Sequence, residues 1–427
     1  MNRSIFLSVI ELDAIDLETA VAMNSLQRRI MSSVAMHHAC NDASVVALPT
    51  VFPLLYSEGL LIKRYSDIGT MILAGLVFAI VAQFFIGHGA KRRHARRFLA
   101  LDTLIVGISL TLMTLSKNYM MLLLFFIGVR IGTSIYHPVG ISWISHTFKG
   151  RDLDRAMGFQ SAFGNLGVLA AFASTGFVAE LFGWKAPLMI LGMFNFLVLI
   201  LAFSISRGTE GPRMDDEDKE RVSWRDTFRG LKLFIPPIAL GGIAWGITLG
   251  YAPSLLNHKL SVPMSRTGII LGCWMGAGAL STMSYGRISA ILGRPRTLLI
   301  SYVTMVVTSL VLCFSTNLPL TVTAFILYGV ALFVTFPAIL SFVGSSIERR
   351  NRTAAFSVTS NMQIVGNSLF VFIGGFLSDR FGINIPFLLL GCVTFIVLIY
   401  MTVIIRAGRC PTPLAPPPAK PKDIVAG

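Results

Sequence analysis

Four ionisable side chains interrupt two long apolar stretches of the sequence. His38 and Asp42 lie one helical turn apart in the first apolar run, and Arg130 and His137 lie two turns apart in the fourth. Each run exceeds the roughly 20 helical residues that cross a hydrocarbon core of about 30 Å. An ionisable group at that depth is costly unless it is paired, protonated or hydrated, so such a group marks a candidate functional site.

The four side chains predict a charge pair flanked by proton carriers. Asp42 and Arg130 fall at matched depth in their runs, which predicts an Asp42–Arg130 pair with His38 and His137 beside it. A carboxylate released from the arginine can take up a proton, and histidine exchanges protons near neutral pH. The arginine favours an anionic solute such as a phosphonate or a carboxylate. The alternative is a neutralised pair that only fixes helix packing.

The same residues admit a metal site as a second interpretation. His38, Asp42 and His137 supply two imidazoles and one carboxylate, a facial set that suits Fe(II), Mn(II) or Zn(II). The adjacent His37 points about 100° away from His38 on a helix, so both cannot face one ion. Arg130 nearby would repel a cation, which makes metal coordination the weaker hypothesis.

The composition is that of a polytopic membrane protein. Of the 427 residues, 54% are hydrophobic and only 13% are charged, against about 25% charged in soluble domains. Basic residues outnumber acidic ones, 36 to 21, which in a membrane chain indicates basic cytoplasmic loops rather than nucleic-acid binding. No nucleotide-binding loop or other enzyme signature is found in the sequence, so we expect neither an enzyme nor a resident cofactor.

Twelve apolar runs alternate with polar loops, and one long polar segment divides them six and six. Lys and Arg concentrate on the side of the termini, so both termini are expected to be cytoplasmic in a bacterial inner membrane. The acidic stretch Asp215–Asp218 is interpreted as a solvated linker, and the Pro-rich tail as an extension that can present a polyproline turn to a protein partner. The predicted divisions are a leader 1–30, a six-helix bundle 31–206, a central loop 207–233, a second bundle 234–406 and a tail 407–427.

An internal repeat relates the two sets of six runs. The segment Gly176–Gly192 closes the fifth run and opens the sixth, and Gly375–Gly391 does the same for the eleventh and twelfth. Matched residues are 199 positions apart, and the same offset carries Pro138 onto Pro337. The sequence therefore predicts an all-α membrane protein with twelve transmembrane helices in two pseudo-symmetric six-helix halves. Such bundles place the solute site between the halves near mid-membrane.

Two six-helix repeats with a long central loop and basic second-to-third and eighth-to-ninth loops resemble the major facilitator superfamily. Its loop signature is similar to residues that we expect to act in gating: Gly87, Arg92 and Arg93 in the first half, and Gly286, Arg287, Gly293 and Arg294 in the second. Lys91 and Ala290 stand where the family has an aspartate. The fourth-run segment Gly128–Gly132 resembles the family's arginine-containing motif.

A narrower resemblance is to drug-efflux members of the fosmidomycin-resistance type. It rests on the His-rich first run with Ala47–Pro49 and on Tyr136–Gly140 in the fourth run. Length and overall character also resemble superfamily members of magnetosome membranes, which are associated with iron uptake into that organelle.

The resemblance implies that the first, fourth, seventh and tenth helices line a central cavity. Charge handling then falls to the first half, and shape selection by aromatic side chains to the second. The residues expected to line the solute cavity are His37, Asn41, Trp245, Tyr251, Phe333 and Phe336.

The function expected from these features is secondary active transport of a small solute by alternating access, coupled to protons. A divalent metal carrier, for iron in a magnetosome-type organelle membrane, is the alternative. The other class of protein left open is a transporter-like scaffold or sensor that moves nothing, because both signature aspartates are replaced.

Overall fold

The computed structural model describes residues 23–59, 61–89, 95–209, 224–347 and 352–408, and these residues are helical almost throughout. In chain order the helices are α1 (Ser25–Glu58), α2 (Tyr65–Gly89), α3 (Ala95–Met113), α4 (Tyr119–Thr133), α5 (Tyr136–Thr147), α6 (Gly150–Phe182), α7 (Lys185–Ile205), α8 (Trp224–Leu231), α9 (Ile235–Ser254), α10 (Met264–Leu292), α11 (Arg294–Phe314), α12 (Leu318–Ser346), α13 (Arg352–Phe381) and α14 (Ile385–Arg406).

Four of the sequence-based predictions concern segments outside the described residues. These segments are residues 1–22 of the leader, the acidic stretch, Arg92 with Arg93, and the Pro-rich tail.

Ten stretches of the described residues are helical, long and apolar enough to cross a membrane. One of them, Tyr119–Thr147, joins α4 and α5 across a short break, and another continues α9 through the single π-helical turn Leu255–Lys259. The remaining two long helices, α3 and α10, are more polar but pack against these spans, α3 against α4 and α7, and α10 against α6 and α12. The predicted fold of twelve transmembrane helices in two halves is confirmed, with α1–α7 in the first half and α9–α14 in the second.

The first helix begins before the predicted boundary at residue 30. Asn24 and Gln27 form a capping box, in which the Asn24 side chain accepts from the Gln27 backbone and the Gln27 side chain accepts from the Asn24 backbone. These bonds satisfy amide groups at the start of α1, so local capping rather than hydrophobicity sets the helix start at Ser25. The Arg29 guanidinium then donates to the carbonyl oxygen of Ile205 at 2.7 Å, which ties the start of α1 to the end of α7.

The sequence repeat has a direct counterpart in how the two halves touch. Helix α6 crosses α10 so closely that a Cβ on Gly176 would meet the carbonyl oxygen of Met264. Helix α13 crosses α2 in the same way, and a Cβ on Gly375 would meet the carbonyl oxygen of Tyr65. Both members of the second contact are related to the first by the 199-residue offset. The bundle therefore has two equivalent contacts between its halves, as expected for a pseudo-twofold axis along the membrane normal.

The halves are joined by hydrogen bonds at one end of the bundle. His258 in the second half contacts three groups of the first: the Pro53 carbonyl oxygen at 3.1 Å, the Ser57 hydroxyl at 3.1 Å and the Tyr65 hydroxyl at 2.9 Å. Every hydrogen bond between described residues of opposite halves lies at this end, where α1 ends and α2 begins. We call it the closed end, and we call the opposite end, where α1 begins and α14 ends, the terminal end.

Close helix crossings predict a specific effect of adding one methyl group. A Cβ on Gly242 of α9 would lie 2.6 Å from the Cα of Gln363 on α13, and closer still to its carbonyl group. Such overpacking costs about 1–3 kcal/mol, so we expect Gly242→Ala to lower the melting temperature of the purified protein by several degrees, as measured by tryptophan fluorescence.

The matched control is Gly286→Ala, because a Cβ at Gly286 of α10 meets nothing within 4 Å. Alanine also favours a helix over glycine, so this variant should melt at or above the wild-type temperature. Equal melting of the two variants would contradict the close crossing of α9 and α13.

Candidate functional site

Polar side chains of α1 lie on two neighbouring faces of the helix. His38 and Asp42 face α5 and α6, whereas His37 and Asn41 face α3. Residues four apart share a helix face, and adjacent residues differ in direction by about 100°. Helix α1 is buried along most of its length, so all four polar groups must find partners inside the protein.

His38 and Asp42 form a close pair on one face of α1. The Nε2 atom of His38 lies 3.1 Å from Oδ2 of Asp42, and its Nδ1 atom lies 2.7 Å from the backbone carbonyl oxygen of Gln160. A carbonyl oxygen only accepts, so Nδ1 carries a hydrogen. The Nε2 contact then needs a second hydrogen, because without one both of its atoms are acceptors. The pair is therefore an imidazolium with a carboxylate or an imidazole with a carboxylic acid, and it is neutral overall either way.

Two aromatic rings of α5 complete the surroundings of this pair. Tyr136 stacks on the His38 ring with 4.4 Å between ring centroids, and its hydroxyl donates to Oε1 of Gln160 at 3.0 Å. His137 approaches from the other side, with Nε2 3.8 Å from Oδ1 of Asp42. The His137 side chain is 54% exposed and the Asp42 side chain only 23% exposed, so His137 lies between the carboxylate and the accessible space.

These three side chains also form the one cluster among the described residues that has the composition and spacing of a metal site. The candidate ligand atoms of His38, Asp42 and His137 all lie within 4.8 Å of one another. A tetrahedral ion with bonds of about 2.1 Å needs ligand atoms roughly 3.4 Å apart. The donor set fits a divalent transition metal after a small closing movement. The Gln160 carbonyl would then accept the Nδ1 hydrogen of His38 and orient its ring toward the ion.

Glycine at position 164 of α6 makes room for the pair. A Cβ there would lie 2.6 Å from Nε2 of His38 and 2.7 Å from Oδ2 of Asp42. The sequence indicates only a close helix crossing at this glycine. The structure adds that the groups it admits are the paired atoms of His38 and Asp42.

The predicted Asp42–Arg130 ion pair is not formed in this structure: within 4 Å, the ionic partners of Asp42 are the two histidines. Arg130 lies against α2, where a Cβ on Gly75 would be 2.7 Å from its Cγ. Arg130 lies in α4 and His137 in α5, separated by Ser134 and Ile135. Of the two side chains, His137 is the one that approaches Asp42. The Arg130 guanidinium has no hydrogen bond or ion pair with any described residue.

His37 and Asn41 do not line the cavity as predicted. Both are buried against α3, where the Asn41 amide lies 3.4 Å from both carboxylate oxygens of Asp102 and donates to the Thr133 carbonyl at 3.2 Å. His37 contacts the hydroxyl of Thr103 at 3.4 Å. Asp102 has 0% exposure, so it is more deeply buried than Asp42. An acid in the third apolar run is visible in the sequence, but its burial depends on how α3 is rotated.

Aromatic side chains of the second half pack together around Phe333. Trp245 and Phe336 are partly exposed and Phe333 is buried between them, with ring centroids 5.9 Å from each. Sequence reasoning missed Trp274 of α10, which packs against Trp245 and Phe333 at 5.5 and 5.4 Å. Tyr251, predicted to line the cavity, is instead fully buried and donates to the Val371 carbonyl.

Four of the residues predicted to act in gating lie at the connection between α10 and α11, at the terminal end. Gly286 and Arg287 are exposed on the last turns of α10, and Arg294 begins α11. Gly293 joins the two helices with φ of 78°, a conformation in which a side chain is strained. Gly87 lies near the end of α2.

Comparison with known proteins agrees with this architecture. Residues 34–261 and 238–426 match the family model of the Major Facilitator Superfamily, and the chain belongs to that family. Its members are membrane transporters.

Similar proteins include the Probable L-galactonate transporter of Escherichia coli (strain K12), 20% identical over 242 residues that make up 52% of this chain and 53% of that protein. The Uncharacterized MFS-type transporter YcaD of Shigella flexneri serotype 5b is 23% identical over 47% of this chain and 51% of its own length. The chain thus matches about half the length of these curated relatives.

Solved structures with this fold cover far more of the chain. A bacterial homologue of the human lysosomal transporter Spinster, in an inward-facing and unoccupied conformation, has a TM-score of 0.76 at 15% identity over 92% of this chain and 100% of that one. The nucleoside transporter NupG has a TM-score of 0.71 at 14% identity over 90% of this chain and 100% of that one. At these identities the likeness concerns the fold alone.

The hydrogen-bond geometry predicts the protonation of one histidine nitrogen. Since Nδ1 of His38 donates to the Gln160 carbonyl, ¹⁵N NMR of histidine-labelled protein should show this nitrogen protonated across the whole accessible pH range. A His38→Gln variant assigns the signal. His137 serves as the internal control, because its exposed ring has no such carbonyl partner. A His38 signal with an unprotonated Nδ1 would rule out the shared-proton assignment.

Proposed function

We propose that this protein is a secondary transporter that moves a small organic anion by alternating access and couples that movement to protons at Asp42. The proposal rests on the position of Asp42 between two histidines. His38 is hydrogen-bonded to a backbone carbonyl, and His137 is exposed. This arrangement holds one proton at a defined place and has a neighbouring group that can deliver it.

In the proposed cycle, protons reach Asp42 through His137. Its exposed imidazole takes a proton from the accessible space and passes it to the carboxylate, while His38 keeps its Nδ1 hydrogen on Gln160. The loaded His38–Asp42 pair is neutral and can remain packed against α6. After the proton leaves, Nε2 and Oδ2 face each other as two acceptors, which repel one another and loosen the contact.

Helix α1 connects the His38–Asp42 pair to the closed end. The residues that accept or share hydrogen bonds with His258 of the second half, Pro53 and Ser57, lie three to four helical turns beyond Asp42 on the same helix. Pro49 and Pro53 lie within this stretch and allow α1 to bend there. In the proposed cycle, a change in the packing of the pair against α6 alters the contact between the halves through this part of α1.

Arg130 supports an anionic solute. Its guanidinium makes no ion pair or hydrogen bond with the described residues, although it lies inside a membrane span. A buried or half-buried guanidinium is costly without an anion, and it binds carboxylates and phosphonates with paired hydrogen bonds. The partly exposed Trp245 and Phe336 favour a solute that also has an apolar or flat body.

The charge distribution of the loops supports a location in a bacterial inner membrane with both termini cytoplasmic. In that orientation the closed end faces outward and the site opens to the cytoplasm. The resemblance to fosmidomycin-resistance efflux proteins favours export as the direction of transport. A scaffold or sensor that moves nothing has no support in the geometry, since it does not need the exposed His137 or the unpaired Arg130.

Asp42→Asn should abolish proton coupling. In proteoliposomes loaded with a pH-sensitive dye, wild type should show proton movement when a phosphonate or carboxylate is added, and the rate should change between about pH 5 and pH 8, where histidine titrates. Asparagine cannot accept the proton, so the variant should show no proton movement and a flat pH profile.

The control is Asp152→Asn, which removes an exposed acid that pairs with Arg155 at 4.0 Å on the surface of α6. This variant should behave as wild type. If proton movement that depends on pH persists in Asp42→Asn, the proposed role of this carboxylate is wrong.

A divalent metal carrier is the second candidate, favoured by the convergence of ligand atoms from His38, Asp42 and His137. In this case the metal takes the place of the shared proton, and iron in a magnetosome-type membrane is the cargo suggested by resemblance. Fe(II), Mn(II) and Zn(II) belong in the same proteoliposome panel. Flux with a metal alone, lost in His137→Ala, would replace the organic anion by the metal as the cargo.

Arg130→Gln should weaken solute binding selectively. Losing a charge-assisted bond to an anion removes about 1.5–3 kcal/mol, so we expect the KM for the transported anion to rise about ten- to a hundredfold. Arg130→Lys keeps the charge but loses the paired hydrogen bonds, so its KM should lie between the values of wild type and Arg130→Gln. An unchanged KM in Arg130→Gln would show that the guanidinium does not contact the solute.

A further inference from the structure

Two carboxylates at the closed end cap helices of the opposite half. Asp379, near the end of α13, accepts from the backbone amides of Tyr65 at 2.7 Å and Ser66 at 3.2 Å, at the start of α2. Glu180, near the end of α6, accepts from the backbone amide of Ser265 at 2.7 Å, at the start of α10. The first amides of a helix have no partner within it, and its dipole favours negative charge there.

The two caps are the same contact made twice. Glu180 and Asp379 are 199 positions apart, and so are Ser66 and Ser265. The sequence repeat aligns the two acids, but it gives no sign that each bonds to the other half.

Each cap lies beside a close helix crossing that is also duplicated. A Cβ on Gly69 would lie 2.9 Å from the carbonyl oxygen of Val371, and a Cβ on Gly268 would overlap the carbonyl of Phe172. These pairs are again related by the offset of 199. Close backbone approach brings the helix ends within reach of the carboxylates, so each crossing and its cap form one unit.

We propose that Asp379 and Glu180 are two matched latches, which hold the closed end shut and must both release before the halves can separate there. Alternating access requires rigid halves to separate at this end. Neither carboxylate can follow the helix it caps, because acid and amide belong to opposite halves. Opening therefore breaks both sets of bonds together. The latches hold the two halves together and are separate from Asp42 and Arg130, the residues proposed to bind the proton and the solute.

Both latches join a carboxylate to the start of a helix in the other half. Asp379 bonds to two amides, and Glu180 bonds to the Ser265 amide with Met264 and Arg266 beside it. Since hydrogen bonds to an ionised acceptor are about twice as strong as neutral ones, neutralising either carboxylate should weaken the closed end.

Hydrogen–deuterium exchange of the full chain in lipid nanodiscs tests the proposal without any solute. The segments to follow are the starts of α2 and α10. If the latches act together, Asp379→Asn raises exchange at both starts, by about threefold or more, although it touches only α2. Glu180→Gln likewise raises exchange at both starts, and the double variant gives the largest rise.

Glu58→Gln is the matched control. Glu58 lies at the same end and accepts from the Trp184 indole at 3.0 Å, entirely within the first half. This variant should leave exchange at both helix starts unchanged. Asp379→Glu, which restores the charge, should return exchange toward wild type and shows that the effect is not a general loss of folding.

A rise confined to the helix that each carboxylate caps would overturn the proposal, because it would show two independent local caps. No rise in either variant would overturn it as well. The readout needs no solute and no proton gradient, so it stands apart from the transport assays at Asp42.

Discussion

A carboxylate inside a bilayer has to be neutralised, and much of the first half is arranged around that requirement. Asp42 pairs with His38, His38 is fixed by the Gln160 carbonyl, and Gln160 is in turn bonded to Tyr136. Glycine at 164 admits the pair to the surface of α6. Each of these features has a local physical reason, and together they leave the carboxylate with one proton and one exposed neighbour, His137.

The contacts between the helices are repeated in the two halves, whereas the residue types of the candidate site are not. The 199-residue offset that reproduces the contacts between halves carries Asp42 onto Gly241, and His137 onto Phe336. The contact survives the change of residue types, since a Cβ on Gly241 would lie 3.2 Å from the Phe336 ring. Symmetry thus supplies two equivalent halves that can move against each other. The ionisable groups of the candidate site occupy the first half, and the aromatic cluster around Phe333 occupies the second.

Much of this was accessible from the amino-acid sequence. Hydropathy gives the membrane class and the two sets of six spans, because long apolar stretches must be helical in lipid. The repeat predicts two related halves. Ionisable residues are rare in apolar stretches, and this rarity identifies His38, Asp42, Arg130 and His137 as candidates. These properties are local or periodic along the chain. No packing information is needed to detect them.

Only the tertiary structure decided which of these groups meet. His137, rather than Arg130, approaches Asp42, and His37 and Asn41 are buried against Thr103 and Asp102 of α3. The latches join residues 85 and 313 positions apart. Hydropathy identifies which residues lie in the membrane, but the choice of partner depends on how each helix is rotated and placed. Rotation and placement are set by the packing of the whole bundle, and for that reason the sequence predicted the participants of the site and not their pairing.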